Sequence, residues 1–126
     1  NNREAKRALL KTIALHPNHA SAHYNLAKVW RNLGERAKAD SAMHRFAQLS
    51  ETEREITRLQ RLITSLPDST TLYRELAKLQ YDMHSYEAAL QTIRQGLQRD
   101  PEDAEGKALL SKIVAALTRE RLMGVE

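Results

Sequence analysis

Apolar residues form two stripes between residues 70 and 101, separated by a short polar turn. The first stripe lies on one side of a helix of about 3.6 residues per turn and consists of Leu72, Tyr73, Leu76, Ala77 and Leu79. The second stripe follows the turn at His84-Ser85 and consists of Ala88, Ala89, Ile93 and Leu97. We therefore predict two amphipathic helices joined by a tight turn.

Prolines mark the limits of this helical pair. Pro67 and Pro101 bracket it and lie 34 residues apart. Small residues stand where the two helices have to approach closely: Ala77, Ala89 and Gly96. A helix-turn-helix unit with this period is typical of one repeat of a helical solenoid.

The unit resembles a tetratricopeptide repeat, whose pattern has Trp, Leu-Gly, Tyr, Ala, Phe and Pro positions at fixed offsets. In residues 70–101 these positions hold Tyr73, Leu76-Ala77, Gln80, Ala89, Ile93 and Pro101, and Gln80 departs from the pattern. A second copy covers residues 20–50, with His23, Leu26-Ala27, Trp30, Ala39 and Met43 at the first five positions, Gly34 in the turn, and Glu51 in place of the proline. The resemblance implies an all-α fold, a helix-turn-helix solenoid.

Residues 50–66 interrupt the period. Ser50-Glu51-Thr52-Glu53 has the pattern of a capping box, which would begin a new helix there. Against this, neither glycine nor proline occurs between residues 35 and 66. A continuous helix also keeps the up-and-down alternation of helices in a solenoid. We favour one extended helix over about residues 36–66 that links two repeat-like units.

This reading gives two domains. The N-terminal unit, 1–50, contains the second helix of a partial repeat at 3–16 and a full repeat that begins with a helix at 20–33, capped by Asn18. The C-terminal unit, 51–126, contains a partial repeat, the full repeat 70–101 and a closing helix at 102–121, with Asp100 as its cap and Pro101 at its first position. Because the chain begins inside the repeat pattern, we interpret it as a fragment of a longer protein.

One stripe in the second unit lacks cover in this arrangement: Ile56, Leu59, Leu62, Ile63 and Leu66. Only the helix that begins at residue 70 packs against it. We therefore predict a homodimer, and the long helix allows a domain-swapped form in which protomers exchange halves. The alternative is that further repeats of a longer protein cover these faces.

Catalytic chemistry finds little support in the sequence. There is no cysteine, no Gly-rich phosphate loop and no nucleophile elbow, and the carboxylates lie beside Lys or Arg at helical spacing. His19 and His23 are four residues apart, close to His16, and could share a divalent metal. We instead expect His23 to pack between helices and the other two to be exposed. We predict no enzyme activity, no catalytic residue, no metal site and no cofactor.

The chain has a net charge of +4 and an isoelectric point near 9.6. Its basic residues alternate with acidic ones, and six aromatic residues are too few to stack successive bases, so we predict no nucleic-acid partner. No apolar run approaches the roughly 18 residues of a membrane span. The sequence does not assign a compartment.

The resemblance implies that the first helix of each repeat lines a concave surface that binds a peptide or a partner protein. By register the groove residues are Tyr24, Asn25, Lys28, Arg31 and Asn32 in one repeat, Arg74, Glu75, Lys78 and Tyr81 in the other, and Lys112 on the closing helix. Their cations suit an acidic segment or a C-terminal carboxylate. Of the residues that form the carboxylate clamp in some family members, only Asn25 is matched, so we predict no clamp.

These observations predict a non-catalytic scaffold for protein–protein interaction. The alternative is an accessory or assembly region of a larger enzyme or transport complex that self-associates through exposed repeat faces.

Overall fold

The computed structural model describes residues 1–124, and this part of the chain contains six α-helices and no strand. The helices are α1 (Asn2–Leu15), α2 (Ala20–Asn32), α3 (Arg36–Ser65), α4 (Thr70–Asp82), α5 (Tyr86–Arg99) and α6 (Ala104–Leu122). The all-α prediction is confirmed, and the closing helix begins two residues later than expected.

The chain forms two compact units, Asn1–Arg54 and Glu55–Glu126, which we call unit 1 and unit 2. The boundary falls inside α3, so each unit contains one part of that helix. The domain limits expected from the repeats, 1–50 and 51–126, remain a prediction. Positions 125 and 126 of the second predicted domain lie outside the described residues.

The extended helix is confirmed. α3 runs without interruption from Arg36 to Ser65. The residues of the capping-box pattern lie inside it, and the Thr52 hydroxyl donates to the Gln48 carbonyl 3.1 Å away, one turn earlier in the helix. With no glycine or proline to end the helix, the capping residues continue it.

The turns α2–α3 and α4–α5 have the same geometry. Each contains a residue in the left-handed region, Gly34 with φ 80° and His84 with φ 61°. The next N–H groups, of Glu35 and Ser85, donate over 2.8 Å to the Trp30 and Gln80 carbonyls. These bonds satisfy carbonyls at the end of the preceding helix, as in a Schellman motif.

The residues at the predicted Trp positions also make equivalent contacts. The Tyr73 hydroxyl donates to the Pro67 carbonyl over 2.9 Å. His23 Nε2 lies 2.8 Å from the Pro17 carbonyl, so this nitrogen carries the proton. Arg99 strengthens the contact in unit 2, because its Nε also donates to Pro67 and its guanidinium lies 4.8 Å from the centre of the Tyr73 ring.

The core of unit 2 lies between α4, α5 and α6 and is formed by small and branched residues. Its centre consists of Ala77, Ala89, Ile93 and Ile113. Gly96 allows the closest approach, since a Cβ atom there would lie 2.8 Å from Tyr73 Cβ. The prediction of small residues at the α4–α5 contact is therefore confirmed.

Gln80, which replaces the family's tyrosine, is buried. It is 7% exposed, and the Thr92 hydroxyl donates to its Oε1 over 2.7 Å. This bond between α4 and α5 satisfies a polar group that would otherwise be costly to bury. The departure from the repeat pattern thus comes with its own partner on the facing helix.

Two helix caps differ from prediction. His19, rather than Asn18, caps α2, and its Nδ1 accepts from the Ala22 N–H over 3.1 Å. Asp103, rather than Asp100, stands at the N-cap of α6. Asp100 Oδ1 instead accepts from the Glu102 N–H over 3.1 Å, so Pro101 belongs to a turn before the helix.

Candidate protein-interaction surfaces

A cleft of about 640 Å³ lies between α4 and α6 in unit 2. Five of the predicted groove residues line it: Arg74, Glu75, Lys78, Tyr81 and Lys112. Its other lining residues are Thr71, Asp82, Glu105, Ala108 and Leu109. The cleft combines aromatic, aliphatic and charged side chains, so it offers both contact area and polar recognition.

Arg74 is engaged within the protein. Its guanidinium lies 2.8 Å from the Asp103 carboxylate and 3.2 Å from Glu105, both at the start of α6. Its side chain is 24% exposed and that of Asp103 only 13%. Arg74 therefore joins α4 to α6, and its charge is paired within the protein.

The pair shifts the protonation of both groups. The hydrogen bond from Arg74 is the main cause of the lowered pKa of Asp103, and the neighbouring backbone N–H groups of Gly106 and Glu105 lower it further. The hydrogen bond to Asp103 likewise raises the pKa of Arg74. Both groups stay charged at neutral pH, and the ion pair persists there.

Tyr81 forms the aromatic part of the cleft. Its ring centre lies 5.4 Å from that of Tyr86 on α5 and 6.0 Å from the Lys112 ammonium. The half-buried Tyr86 has a raised pKa, chiefly because of burial. Tyr81 thus packs against a second ring and also lines the cleft.

The charges around the cleft balance. Arg74, Lys78 and Lys112 face Glu75, Asp82 and Glu105. Sequence register brought together the cations and Glu75 but missed Asp82 and Glu105. The four-residue spacing of Lys78 and Asp82 on α4 could have revealed the first, whereas Glu105 depends on how α6 packs.

Unit 1 presents a different surface on α2. All five predicted residues there are exposed: Tyr24, Asn25, Lys28, Arg31 and Asn32. The Tyr24 ring packs 5.0 Å from the ring of Phe46 on α3, and the Lys28 ammonium lies 5.0 Å from the Tyr24 ring centre. We call this surface the α2 face.

A smaller hollow of about 330 Å³ adjoins the α2 face at the α2–α3 turn and is lined by Arg31, Arg36, Ala39 and Asp40. The α2 sequence itself contains no Asp or Glu. The cations of the α2 face therefore have no acidic neighbour on their own helix. The one carboxylate that lines the hollow, Asp40, belongs to α3.

The other sites considered from sequence have no matching geometry. Within residues 1–124, no group of three His, Asp or Glu side chains is placed to hold a metal ion. His19 and His23 make the local contacts with Ala22 and Pro17 described above. Among the same residues, no helix is both long and apolar enough to cross a membrane.

Comparison with known proteins gives one family match. Residues 56–113 match the tetratricopeptide repeat family. A solved structure described as "Crystal structure of MamA" aligns with 96% of this chain and 90% of the other, at 20% identity and a TM-score of 0.42. The comparison with curated proteins gave no match.

The family match covers the latter part of α3, the hairpin α4–α5 and half of α6. It does not include residues 20–50, whose resemblance rests on the equivalent turn and proline contact. Tetratricopeptide repeats generally mediate protein–protein interaction and are typically non-catalytic. The similarity of this chain to the tetratricopeptide repeat family is thus carried by residues 56–113.

Proposed function

We propose that this chain is a non-catalytic interaction module that binds peptide segments of partner proteins on the exposed residues of α2 in unit 1 and, separately, on those of α4 in unit 2. The observation that supports this most directly is the α4–α6 cleft, which gathers the predicted groove residues of unit 2. Its volume, about 640 Å³, falls in the range of clefts that hold ligands.

The cleft offers complementary contacts for an extended peptide. Leu109 and Ala108 on α6 supply apolar surface, and Tyr81 supplies a ring that can pack against a side chain. Lys78 and Lys112 are exposed and can bind carboxylates or main-chain carbonyls. In this proposal Arg74 holds α6 against α4 and does not contact the peptide.

A blocked cleft tests the proposal. Peptides selected from a phage-displayed library of short random sequences would be labelled and titrated by fluorescence anisotropy. Ala108→Trp fills the cleft from an exposed position and should weaken binding at least tenfold, or about 1.4 kcal/mol.

The matched control is Ala115→Trp, also exposed on α6 but not among the residues that line the cleft. It should bind the same peptides as the parent. Equal affinity of both variants for the selected peptides, or a library that yields no binder, would refute binding in the cleft.

Self-association is the second candidate, and exposed apolar residues favour it. Of the stripe expected to lack cover, Leu59 is 1% exposed but Leu66 is 56% exposed. Leu122 and Met123 at the end of α6 are 82% and 76% exposed. We propose a homodimer, with exchange of halves through α3 as its domain-swapped form, as expected for an assembly region.

Light scattering across a range of protein concentrations tests the dimer. The mass should rise towards twice that of one chain, 14.4 kDa, and Leu66→Lys should shift the equilibrium towards the monomer. A constant monomer mass at the highest concentration would exclude the dimer, without affecting the proposal for peptide binding.

A further inference from the structure

The excess of positive over negative charge lies in unit 1. Residues 1–54 contain ten Lys or Arg and five Asp or Glu, a net charge of +5. Residues 55–126 contain ten basic and eleven acidic residues, a net charge of −1. The basic balance of the whole sequence therefore says nothing about unit 2, where the cleft lies.

Part of this difference arises at equivalent positions of the two repeats, which lie 50 residues apart. Lys28 of the α2 face corresponds to Lys78 of α4. The amides Asn25 and Asn32 correspond to the carboxylates Glu75 and Asp82. Lys78 thus lies between two acidic residues on its own helix, whereas Lys28 lies between two neutral ones.

Ion pairs add to the difference in charge between α2 and α4. On α4, Arg74 forms ion pairs with Asp103 and Glu105. On α2, the position equivalent to Arg74 is Tyr24, and Arg31 adds a second exposed cation. Neither Lys28 nor Arg31 forms an ion pair with any residue in the described range 1–124.

We propose that the α2 face binds an acidic segment, through Lys28 and Arg31, and that the α4–α6 cleft separately binds a segment without net negative charge. The occupant of the α2 face is a peptide segment rich in Asp or Glu. Asn25 and Asn32 donate hydrogen bonds to its carbonyl and carboxylate groups, and the Tyr24 ring packs against its side-chain methylenes.

A peptide fits this face better than a nucleic acid. Tyr24 is the one aromatic residue of the α2 face, so this face has no row of rings on which successive bases could stack. The inference rests on the proposed function, because it states which kind of segment each of the two surfaces binds.

An exchange of equivalent residues tests the inference. The probe is a fluorescein-labelled oligoglutamate, compared with oligoglutamine of the same length, measured by anisotropy at low salt. Asn25→Glu with Asn32→Asp gives the α2 face the residues of α4 and should weaken oligoglutamate binding roughly tenfold.

The reciprocal variant, Glu75→Asn with Asp82→Asn, gives α4 the residues of α2. It should bind oligoglutamate at least as tightly as the parent. All four positions are exposed, so both variants should keep the parental helical content by circular dichroism.

A second pair of variants distinguishes binding at the α2 face from a general effect of the net charge of unit 1. Lys28→Glu with Arg31→Glu should abolish oligoglutamate binding. Lys11→Glu with Lys38→Glu changes the net charge of unit 1 equally, from exposed positions on α1 and α3, and should weaken binding less than threefold.

Three results would overturn the inference while leaving the proposed function intact. The first is an equal loss of oligoglutamate binding in both charge-reversed variants. The second is binding that is lost in Lys78→Glu with Lys112→Glu but kept when the α2 face is changed. The third is tighter binding of oligothymidine than of oligoglutamate. The proposed function fails separately, through the library and the Ala108→Trp variant.

Discussion

His84 is a residue held in a conformation that suits glycine better. Its φ of 61° places it in the left-handed region, where the equivalent residue of the first hairpin is Gly34. A side chain in this region costs about 1 kcal/mol relative to glycine. His84 recovers part of this by stacking on Tyr86, with ring centres 5.6 Å apart.

We predict that His84→Gly stabilises the protein by up to about 1 kcal/mol, because glycine removes the strain at this turn. Gly34→Ala should have the opposite effect, a loss of about 1 kcal/mol, at a position with nothing within 4 Å of an added Cβ. Urea denaturation followed by circular dichroism measures both. A destabilised His84→Gly would mean that the ring contact with Tyr86 outweighs the backbone strain.

Gly96 is required by packing. We predict that Gly96→Ala destabilises the protein by roughly 1–3 kcal/mol, because the added Cβ would lie 2.8 Å from Tyr73 Cβ and force α4 and α5 apart. Gln95→Ala, at the neighbouring exposed position, should be nearly neutral. A Gly96→Ala variant as stable as the parent in thermal unfolding would contradict this close approach.

Single-residue detail was only partly predictable from sequence. Ala77, Ala89 and Gly96 could be placed because repeat spacing brings them to a helix contact. The caps could not, since Asn18 and His19 are adjacent polar residues that can both accept the same kind of bond. Which of them does so depends on the direction of the chain after Pro17.

At the level of elements, the attachment of α6 to α4 depends on the ion pair between Arg74 and Asp103. The lowered pKa of Asp103 fixes the sign of its pH dependence. Its contribution to stability is complete above the ordinary carboxyl pKa of about 4 and is lost as pH falls towards the lower folded value.

We therefore predict that Asp103→Asn destabilises the protein at neutral pH and that its difference from the parent shrinks as pH falls from about 6 to about 3. Asparagine keeps the N-cap role, so the change isolates the charge. Chemical denaturation at a series of pH values measures this. Asp68→Asn, at an exposed turn residue, should follow the parent throughout, and a constant difference for Asp103→Asn would rule out the ion pair as its cause.

Helix order and the continuity of α3 were predictable because apolar stripes, prolines and the absence of helix breakers are local signals. The partners of Arg74 were not, because Asp103 is 29 residues away and meets it only after α5 has packed. The repeat register predicted that Arg74 lies at a groove position. It could not predict that Asp103 and Glu105, at the start of α6, pair with the charge of Arg74.

For the whole molecule, α3 is the one element that belongs to both units. We predict that Glu51→Pro, near its centre, lowers the free energy of unfolding by about 3 kcal/mol, because proline removes a helical hydrogen bond and clashes with the preceding turn. The core of unit 2 around Ala89 and Ile93 should keep its hydrogen-exchange protection, because none of the residues in this core cluster lies near residue 51 in the sequence.

Glu51→Ala is the matched control and should be close to neutral, as the position is exposed. Circular dichroism and hydrogen exchange would separate the two variants. If proline and alanine had the same effect, residues near 51 could not be helical in solution.

The division of charge between the two units became apparent only once their boundary was known. From sequence, +4 spread over 126 residues indicates a mildly basic surface. Dividing the chain after Arg54 places all of that excess, and more, in unit 1. The sequence predicted a cationic groove in both repeats. On α2 the cations have no carboxylate on the same helix, whereas on α4 carboxylates balance their charge.

The contact of Tyr73 and Arg99 with the Pro67 carbonyl links the first and last turns of a segment only 34 residues long. The hydrogen bonds that hold the two ends of residues 67–100 together therefore lie within this segment, since it contains the carbonyl and both donors. If residues 67–100 were duplicated in tandem, each copy would contain its own proline carbonyl with both donors. The number of repeats could therefore increase without new contacts of this kind between copies.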